Sequence, residues 1–317
     1  MATTTSITTT YAGEKKAGYI SAALLSSNTI EKGGIKVEPN IKFRQTLKFG
    51  AVSDDLIANG GCDFDATSTI TLTEKTIEPK EFQVNLQLCK KDYRSDWDAI
   101  SMGYSAHDNI PPSFQDFLLA EVVGKVAEKN ERNIWQGDDS NAGEYDGLLT
   151  LLALDADLPA ANEVTGTTVD ASNVIAELGK VVDAIPEQLY GKDDFFIRIS
   201  QNVHRAYVRA LGGFGANGQG ANGYQGQGNN QSLSDLVFDG VKLMVCNGLP
   251  SNTMIAAQTD NLVFGTGILN DMTEVKVIDM ADIDGSQNVR IVMRFTAAVQ
   301  YALPQEIVTY GVVNSAN

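Results

Sequence analysis

The residues most suggestive of chemistry form a glycine-rich run between positions 212 and 228. Residues 213–218 and 218–223 both match G-x-G-x-x-G, the pattern that holds a pyrophosphate in dinucleotide-binding folds. That chemistry needs a strand before the motif and a helix after it, because the phosphate binds at the helix N-terminus. Here a predicted helix precedes the run and Asn- and Gln-rich sequence follows it. We therefore predict a projecting loop at a junction between subunits. Its candidate contact residues are Gly212, Gly213, Phe214, Gly215, Gly218, Gly220, Gly223, Tyr224, Gly226 and Gly228.

A second motif, Asp282-Ile283-Asp284-Gly285, resembles the start of a calcium-binding loop, in which alternate side-chain oxygens ligate the ion. The full pattern requires a further oxygen ligand at position 280 and a glutamate at position 291. Met280 and Ile291 occupy these positions. We therefore predict a hairpin turn here, with no metal and no cofactor.

Catalytic patterns are scarce in this chain. It has two histidines, His107 and His204, and contains no H-E-x-x-H, C-x-x-C or G-x-S-x-G motif. Because catalytic triads are assembled in space, a hydrolase that uses His107 or His204 stays open as an alternative function. Acidic pairs lie in polar stretches, where we predict solvated loop charges. These pairs are Asp138 and Asp139, Asp155 and Asp157, and Asp193 and Asp194. The leading expectation is a protein without catalysis.

Composition predicts an acidic globular protein. Its 317 residues exceed the usual size of a single core, so two domains are expected. Cys62, Cys89 and Cys246 lack paired spacing, which predicts reduced thiols in a cytosolic setting. No apolar run is long enough to span a membrane, and residues 1–10 read as an extended arm without the features of a signal peptide. The net charge of −16 argues against tight binding of nucleic-acid phosphates, although not against enclosing nucleic acid.

The most regular strand pattern lies between residues 289 and 301, where apolar or small residues occupy alternate positions. At ~3.3 Å per residue this strand would be about 43 Å long. Residues 274–278 form a second strand pattern, and the intervening Asp284-Gly285 indicates a hairpin. We predict that the apolar face of the long strand packs on a long helix, and that its exposed edge contacts a neighbouring subunit.

That long helix is predicted over residues 114–136. Ser113 is the expected N-cap, with Asp116 three residues later, and Gly137 is the expected stop. About 23 residues at ~1.5 Å each give a length of roughly 35 Å. The apolar stripe at helical spacing consists of Phe114, Leu118, Val122, Val126 and Ile134.

The remaining patterns divide into an extended part and an alternating part. Residues 43–88 are interpreted as a two-stranded excursion that Pro79 breaks or bulges near residues 78–80. After the long helix, helices and strands alternate, which predicts a compact α/β unit over about 170–265. Its predicted elements are helices 172–184 and 201–211 and strands 195–199, 241–246 and 253–257.

Three segments resemble those of a known family. They are the glycine-bearing turn from Gly137 to Gly147-Leu148-Leu149, the segment Asn261-Leu262-Val263-Phe264-Gly265-Thr266, and the closing strand Val289-Arg290-Ile291-Val292-Met293-Arg294-Phe295 with Tyr301. Together with the order arm, β excursion, long helix, inserted α/β unit and long hairpin, they resemble the major capsid protein of tailed double-stranded-DNA bacteriophages. Encapsulins share this fold. The resemblance extends from about residue 40 to residue 311.

This resemblance implies an α+β fold with four parts. Residues 1–41 would be the N-arm and residues 42–82 the extended E-loop. Residues 83–168 and 270–317 would form the peripheral domain around the long spine helix, and residues 169–269 the inserted axial domain. In the family, axial domains meet at the centre of hexamers and pentamers, so the glycine-rich loop would lie near that axis or on an exposed face.

The resemblance also implies a structural coat protein that self-assembles into hexamers and pentamers of an icosahedral shell around phage double-stranded DNA. The shell would assemble in the bacterial host cytoplasm and be part of the virion, without membrane contact or sequence-specific DNA binding. Implied partners are a separate scaffolding protein, a portal protein and a decoration protein. Some members cross-link a lysine to an asparagine; Lys75 and Lys80 lie in the excursion, but no acceptor is indicated. The alternatives are an encapsulin-like nanocompartment shell and the hydrolase above, whereas a tail adhesin lacks its expected repeats.

Overall fold

The computed structural model describes residues 28–52, 57, 59, 70–89, 112–212, 236–268 and 275–315. The strands in these ranges are β1 (Lys36–Glu38), β2 (Gln45–Val52), β3 (Ile70–Ile77), β4 (Lys80–Cys89), β5 (Glu163–Val164), β6 (Phe195–Ile199), β7 (Val237–Phe238), β8 (Val241–Val245), β9 (Met254–Gln258), β10 (Leu262–Gly265), β11 (Val275–Asp279), β12 (Asn288–Tyr301) and β13 (Val308–Tyr310). The helices are α1 (Pro112–Gln136), α2 (Leu148–Leu152), α3 (Val174–Asp183), α4 (Gln201–Gly212) and α5 (Ala281–Asp284). These elements confirm the predicted α+β class.

Strand β12 is the centre of a five-stranded sheet, which has the order β1-β10-β12-β11 with β4 as a further partner of β12. The strand is 14 residues long, so its predicted length is confirmed. Both β11 and β4 pair antiparallel with its residues 289–293, which places them on opposite sides. The prediction of an exposed edge is therefore wrong over this stretch, because both edges are paired within the chain.

The connection between β11 and β12 is longer than a tight Asp-Gly turn. It contains α5, after which Gly285 adopts a left-handed φ of 71°, a conformation that costs glycine little. The carboxylate of Asp284 accepts a hydrogen bond from the amide of Ser286 at 2.9 Å. The calcium-like motif thus forms the hairpin connection, as predicted, with a helical turn inside it.

The alternation along β12 separates a buried face from an exposed one, since successive side chains point to opposite sides of a sheet. Val289, Ile291 and Met293 are at most 2% exposed. Arg290 and Arg294, which lie between and beyond them, are exposed. The first half of the strand therefore has one apolar and one polar face.

The second half of β12 packs against the long helix. Ala297, Val299 and Tyr301 belong to the same buried cluster as Ile134 and Trp135 of α1. Trp135 is fully buried, so this cluster fixes the end of the helix over the sheet. The predicted packing of the strand on the helix is confirmed for the second half of β12.

Helix α1 begins at Pro112, so Ser113 lies inside the helix and its predicted role as N-cap is wrong. Proline suits a first turn because its missing amide has no intrahelical acceptor there. The helix ends immediately before Gly137, as predicted, and Val122 and Val126 of its apolar stripe are half-buried. Side chains that lie outside the described part are those of Ser113, Phe114, Asp116 and Leu118.

The α/β unit is a six-stranded sheet of order β5-β13-β9-β6-β8-β7, packed against α3 and α4. All five predicted elements of this unit are present with small shifts of their ends. Two further strands, β5 and β13, come from before and after it in the chain. In contrast, β10 pairs with β1 and β12 of the other sheet. Strand pairing therefore crosses both predicted boundaries, at residues 169 and 269.

The excursion is a hairpin of β2 and β3, which pair antiparallel along their whole length. Pro79 lies between the end of β3 and the start of β4, where a break was predicted. Strand β4 does not extend the excursion, because it pairs with β12 from Lys80 to Cys89. Among the described helices, none is long and apolar enough to cross a membrane.

Candidate assembly surfaces

The hairpin of β2 and β3 exposes apolar side chains. Leu72 and Ile70 are 78% and 69% exposed and share one face of β3, because they are two positions apart. In the described part of the chain, β2 and β3 pair with each other alone, so each keeps an unpaired edge. A two-stranded sheet with an uncovered apolar face is marginal by itself. This hairpin is therefore the first candidate surface for contact with another subunit.

The root of the hairpin is anchored to the body of the protein. Ile77, which ends β3, is 1% exposed and packs with Ile41, Val263 and Ala298. The side-chain amide of Gln300 donates a hydrogen bond to the backbone carbonyl of Thr76, also in β3, at 3.1 Å. One end of the hairpin is thus fixed, whereas its exposed apolar residues lie at the other end.

A charged cluster strengthens this root. The Nζ atom of Lys75 lies 2.5 Å from an Asp155 carboxylate oxygen and 3.9 Å from the centre of the Tyr301 ring. The Tyr301 hydroxyl donates to the same carboxylate oxygen at 2.5 Å. The cluster joins β3, the turn after α2 and β12. The prediction that Asp155 is a solvated loop charge is wrong, because its side chain is only 13% exposed.

Burial and hydrogen bonding oppose each other in shifting the pKa of Asp155, but they shift the pKa of Tyr301 in the same direction. Burial alone would raise the pKa of Asp155, but the hydrogen bonds from Lys75 and Tyr301 outweigh it and lower that pKa below its ordinary value. Burial, followed by the hydrogen bond to Asp155, raises the pKa of Tyr301 above its ordinary value. The favoured state of the cluster has an ionised carboxylate beside a neutral phenol.

Substituting Asp155 with Asn is expected to loosen the hairpin root. The amide loses the charge-assisted bond to Lys75, which is worth about 1.5–3 kcal/mol in such settings. Limited proteolysis within residues 45–77 should become several-fold faster, whereas Asp157→Asn, at an exposed site nearby, should cleave at the wild-type rate.

The same anchor should depend on pH. Since the folded state lowers the pKa of Asp155, its stabilisation is present above the unfolded carboxyl value of about 3.9 and is lost as pH falls through the folded value. The difference in unfolding free energy between wild type and Asp155→Asn should therefore shrink below about pH 4. An equal difference at pH 3 and pH 7 would contradict the assignment.

Lys80, the first residue of β4, pairs with Asp139 in the turn after α1. Both side chains are nearly half exposed, and surface pairs of this kind contribute at most about 1 kcal/mol. Lys75 and Lys80 therefore each face an acid of the same chain.

A shallow groove lies between α1 and the sheet. It separates Val126 and Asn130 of the helix from Phe82, Val84 and Phe295 of β4 and β12. Phe82 and Phe295 are opposite each other in the two strands, with ring centres 5.7 Å apart. Helix α1 is thus buried at its C-terminal end, whereas its residues around Val126 are only partly covered. This groove is a second candidate contact surface.

The segment before β1 is held by a buried carboxylate. Glu131 of α1 is fully buried, and it accepts hydrogen bonds from the amide of Thr29 at 3.2 Å and from its hydroxyl at 2.5 Å. It also accepts one from the amide of Gly248 at 3.3 Å, and the indole of Trp135 donates to the Thr29 hydroxyl at 2.9 Å. One side chain therefore joins the segment before β1, helix α1 and the turn after β8.

Substituting Glu131 with Gln is expected to destabilise this junction. The amide NH₂ would face hydrogen-bond donors, and each buried donor that loses its acceptor costs about 1–3 kcal/mol. Glu128→Gln, in the preceding turn of the same helix, removes only surface pairs with Lys125 and Arg132. Chemical denaturation should show a large loss for Glu131→Gln and a loss below about 1 kcal/mol for the control; equal losses would contradict this role.

Arg198 provides a second anchor for the same segment. It is fully buried on β6 and donates hydrogen bonds to the carbonyls of Gly34 at 2.8 Å and Ala257 at 2.9 Å. Burial lowers the pKa of Arg198 to about 10, although its guanidinium stays charged at neutral pH. The sequence pattern of β6, in which Arg198 lies among apolar residues, did not indicate that this side chain is buried.

Of the residues with catalytic potential, His204 and Cys246 lie in the described part. His204 lies on α4, where its amide donates to the carbonyl of Ser200. Burial raises the pKa of the Cys246 thiol to about 12, which keeps this thiol protonated and unreactive. Within the described ranges, no group of three or more His, Cys, Asp or Glu side chains could hold a metal ion.

Several predicted site residues cannot be placed. His107, Cys62 and the glycine-rich run from Gly213 onward lie outside the described residues. Gly212 is the last residue of α4, so the run does follow a helix as predicted. The predicted subunit contact through this run therefore stays a prediction.

Comparison with solved structures connects this architecture to viral shells. The capsid of a native GTA particle aligns with a TM-score of 0.62 and 13% identity, covering 93% of each chain. The capsid of Cyanophage P-SCSP1u aligns with a TM-score of 0.55 and 12% identity, covering 93% of this chain and 91% of that one. The procapsid of satellite phage P4, solved with its size determination protein, aligns with a TM-score of 0.55 and 11% identity over 90% and 89%. The chain has the phage capsid fold. No protein-family model and no curated protein sequence matches it.

The buried groups of this capsid fold were missed by sequence reasoning. The sequence patterns did not single out Glu131 or Arg198, and they predicted Asp155 as a solvated loop charge. Their partners lie up to about 160 residues away along the chain. Pairings of this kind carry no local signal, so only the three-dimensional fold reveals them.

Proposed function

We propose that this chain is a structural major capsid protein that self-assembles into the hexamers and pentamers of an icosahedral shell enclosing phage double-stranded DNA. The supporting observation is the uncovered hairpin of β2 and β3, carried by a chain with the phage capsid fold over 93% of its length. A projecting sheet with exposed apolar residues gains stability when a neighbouring copy covers it. Many such contacts in a shell add together even when each is weak.

The proposal includes the division into an N-arm, an E-loop, and peripheral and axial domains. Strand pairing supports counting β5 and β13 with the axial domain and β10 with the peripheral domain. The protein would act without catalysis or cofactor, as part of a virion assembled in a bacterial cytoplasm. Its partners would be copies of itself, a separate scaffolding protein, a portal protein and a decoration protein. The P4 procapsid structure contains a size determination protein, which supports an accessory assembly protein of this kind.

Negative-stain electron microscopy of the purified protein tests the proposal. We expect capsomers or closed shells, alone or after addition of phage scaffold or lysate components. Absence of both under every such condition would overturn it. An encapsulin-like compartment would give shells that enclose cellular protein cargo in place of DNA. Hydrolytic activity that disappears in a His107→Ala/His204→Ala variant would favour the enzyme alternative.

A further inference from the structure

Residues 28–38 contact both sheets of the protein and the long helix α1. At the start of this segment, the side-chain amide of Asn28 donates a hydrogen bond to the carbonyl of Val245 in β8 at 2.6 Å. The side-chain oxygen of Asn28 accepts one from the amide of Asn247 at 3.0 Å. At the end of the segment, β1 pairs parallel with β10 of the five-stranded sheet. We call residues 28–38 the strap.

Between its two ends, the strap is held by buried polar groups. Glu131 of α1 accepts two hydrogen bonds from Thr29, and Arg198 of β6 donates one to the carbonyl of Gly34. The side chains of Thr29, Glu131 and Arg198 are fully buried. Gly34 also packs closely, since a Cβ atom there would lie 2.6 Å from the Sδ atom of Met244 in β8. The strap is therefore fixed at several points along its length.

The two sheets also share an apolar cluster. It contains Ile255 of the six-stranded sheet, Phe264 and Val299 of the five-stranded sheet, and Ile35 of the strap. Apolar contacts are not directional, so packed elements can slide by small amounts across such an interface. Hydrogen bonds between buried groups require defined distances and angles. The polar groups of the strap therefore restrict the angle between the sheets more strictly than the shared cluster does.

The angle between the sheets matters in an assembly. The root of the uncovered hairpin packs on the five-stranded sheet through Ile77, which contacts Val263 of β10 and Ala298 of β12. Surfaces of the six-stranded sheet are oriented relative to this hairpin by the angle between the sheets. In a closed shell of identical copies, the orientation of contact surfaces within one copy determines the curvature. We propose that the strap fixes the angle between the two sheets and thereby determines the diameter of the shell, an inference that rests on the proposed function.

A role in stability alone is the rival explanation. In that case, a substitution in the strap would affect assembly only through the loss of stability, and a substitution in a distant core would act in the same way. Leu178→Ala is the matched comparison, because Leu178 of α3 is fully buried in the separate cluster of the six-stranded sheet. Its truncation leaves a cavity and lowers stability without removing a contact of the strap.

Thr29→Val tests the strap. Valine resembles threonine in shape, but it neither donates a hydrogen bond to Glu131 nor accepts one from Trp135. In the unassembled chain, hydrogen exchange at the amides of Asn247 and Gly248 should become roughly tenfold faster, whereas the amides of β9 and β12 should keep wild-type protection. Shells should still form, and electron micrographs should show a distribution of diameters roughly twofold wider than that of wild type.

Two further variants complete the experiment. Leu178→Ala should give shells with the wild-type distribution of diameters. Asn28→Ala, which removes the bonds to Val245 and Asn247, should behave like Thr29→Val and replaces it if circular dichroism shows that Thr29→Val is unfolded. Failure of both strap variants to fold would overturn the inference, because the strap would then be required for folding itself.

The remaining outcomes separate the parts of the inference. Unchanged exchange at Asn247 and Gly248 would show that the strap does not hold the two sheets together. Three results would contradict the link to diameter: wild-type diameters from a folded strap variant, no shells from such a variant, or an equally wide distribution from Leu178→Ala. Failure of the wild-type chain to form any shell would overturn the proposed function and the link to diameter, whereas the exchange measurement decides the role of the strap within one copy.

Discussion

Replacing Gly137 with Ala is expected to destabilise the protein by about 3 kcal/mol or more, because a Cβ atom at this position has no space. It would lie 2.1 Å from the carbonyl oxygen of Tyr145 and 2.8 Å from that of Asn133. The backbone at this point also bonds to the next turn, since the amide of Gly147 donates to the Gly137 carbonyl at 2.9 Å. Both obstructing atoms are backbone, so neither can rotate away. Chemical denaturation measures the loss.

Gly179 is the matched control for this substitution. It lies inside α3, and a Cβ atom there would meet nothing within 4 Å. Because alanine is a better helix former, Gly179→Ala should stabilise the protein by up to about 1 kcal/mol. A Gly137→Ala variant as stable as wild type would show that the backbone at Gly137 and the backbone at Tyr145 and Gly147 can move apart easily.

Replacing Leu72 with Glu is expected to abolish shell assembly while leaving the subunit folded. The side chain is 78% exposed, so a charge there meets water in the isolated chain and changes unfolding free energy little. In an assembled shell, the same charge would be buried against a neighbour without a partner, which costs several kcal/mol at every copy of the contact. Repetition of that cost around each capsomer makes the effect on assembly nearly all-or-none.

Size-exclusion chromatography and electron microscopy measure this outcome, and circular dichroism checks the fold. Leu72→Met keeps an apolar side chain of similar volume and should assemble like wild type. Normal shells from Leu72→Glu would exclude this face of the hairpin as a contact, and would remove the main support for the proposed function.

The patterns that predicted the fold were long and periodic. The alternation in β12 and the apolar stripe of α1 extend over many residues, so local sequence was sufficient to identify them. The two short strands β5 and β13 were missed because two or three residues carry no period. Strand β13 forms because it pairs with β9, and β5 forms because it pairs with β13. The pairing of β4 was missed for a similar reason, since its partner is β12, about 200 residues away.

The candidate contact surfaces were predictable only in outline. Sequence identified the excursion and the hairpin, but it placed the free edge on β12, where β4 and β11 occupy both sides. Exposure depends on which elements the rest of the chain supplies, and periodicity does not report that. The buried charges were missed on the same grounds, since an acid such as Glu131 becomes buried only when two distant segments converge on it.

The pairing of β4 with β12 also has a consequence for when the subunit is completed. Strand β4 is synthesised about 200 residues before its partner, and contacts of such separation form late because the intervening chain must first be ordered. At ~5–20 residues per second, synthesis needs at least about 10 s between the two strands. During that time the root of the hairpin lacks its contacts with Tyr301 and Gln300, so the hairpin is not yet anchored to the body of the protein. The topology thus delays anchoring of the hairpin until β12 has been synthesised.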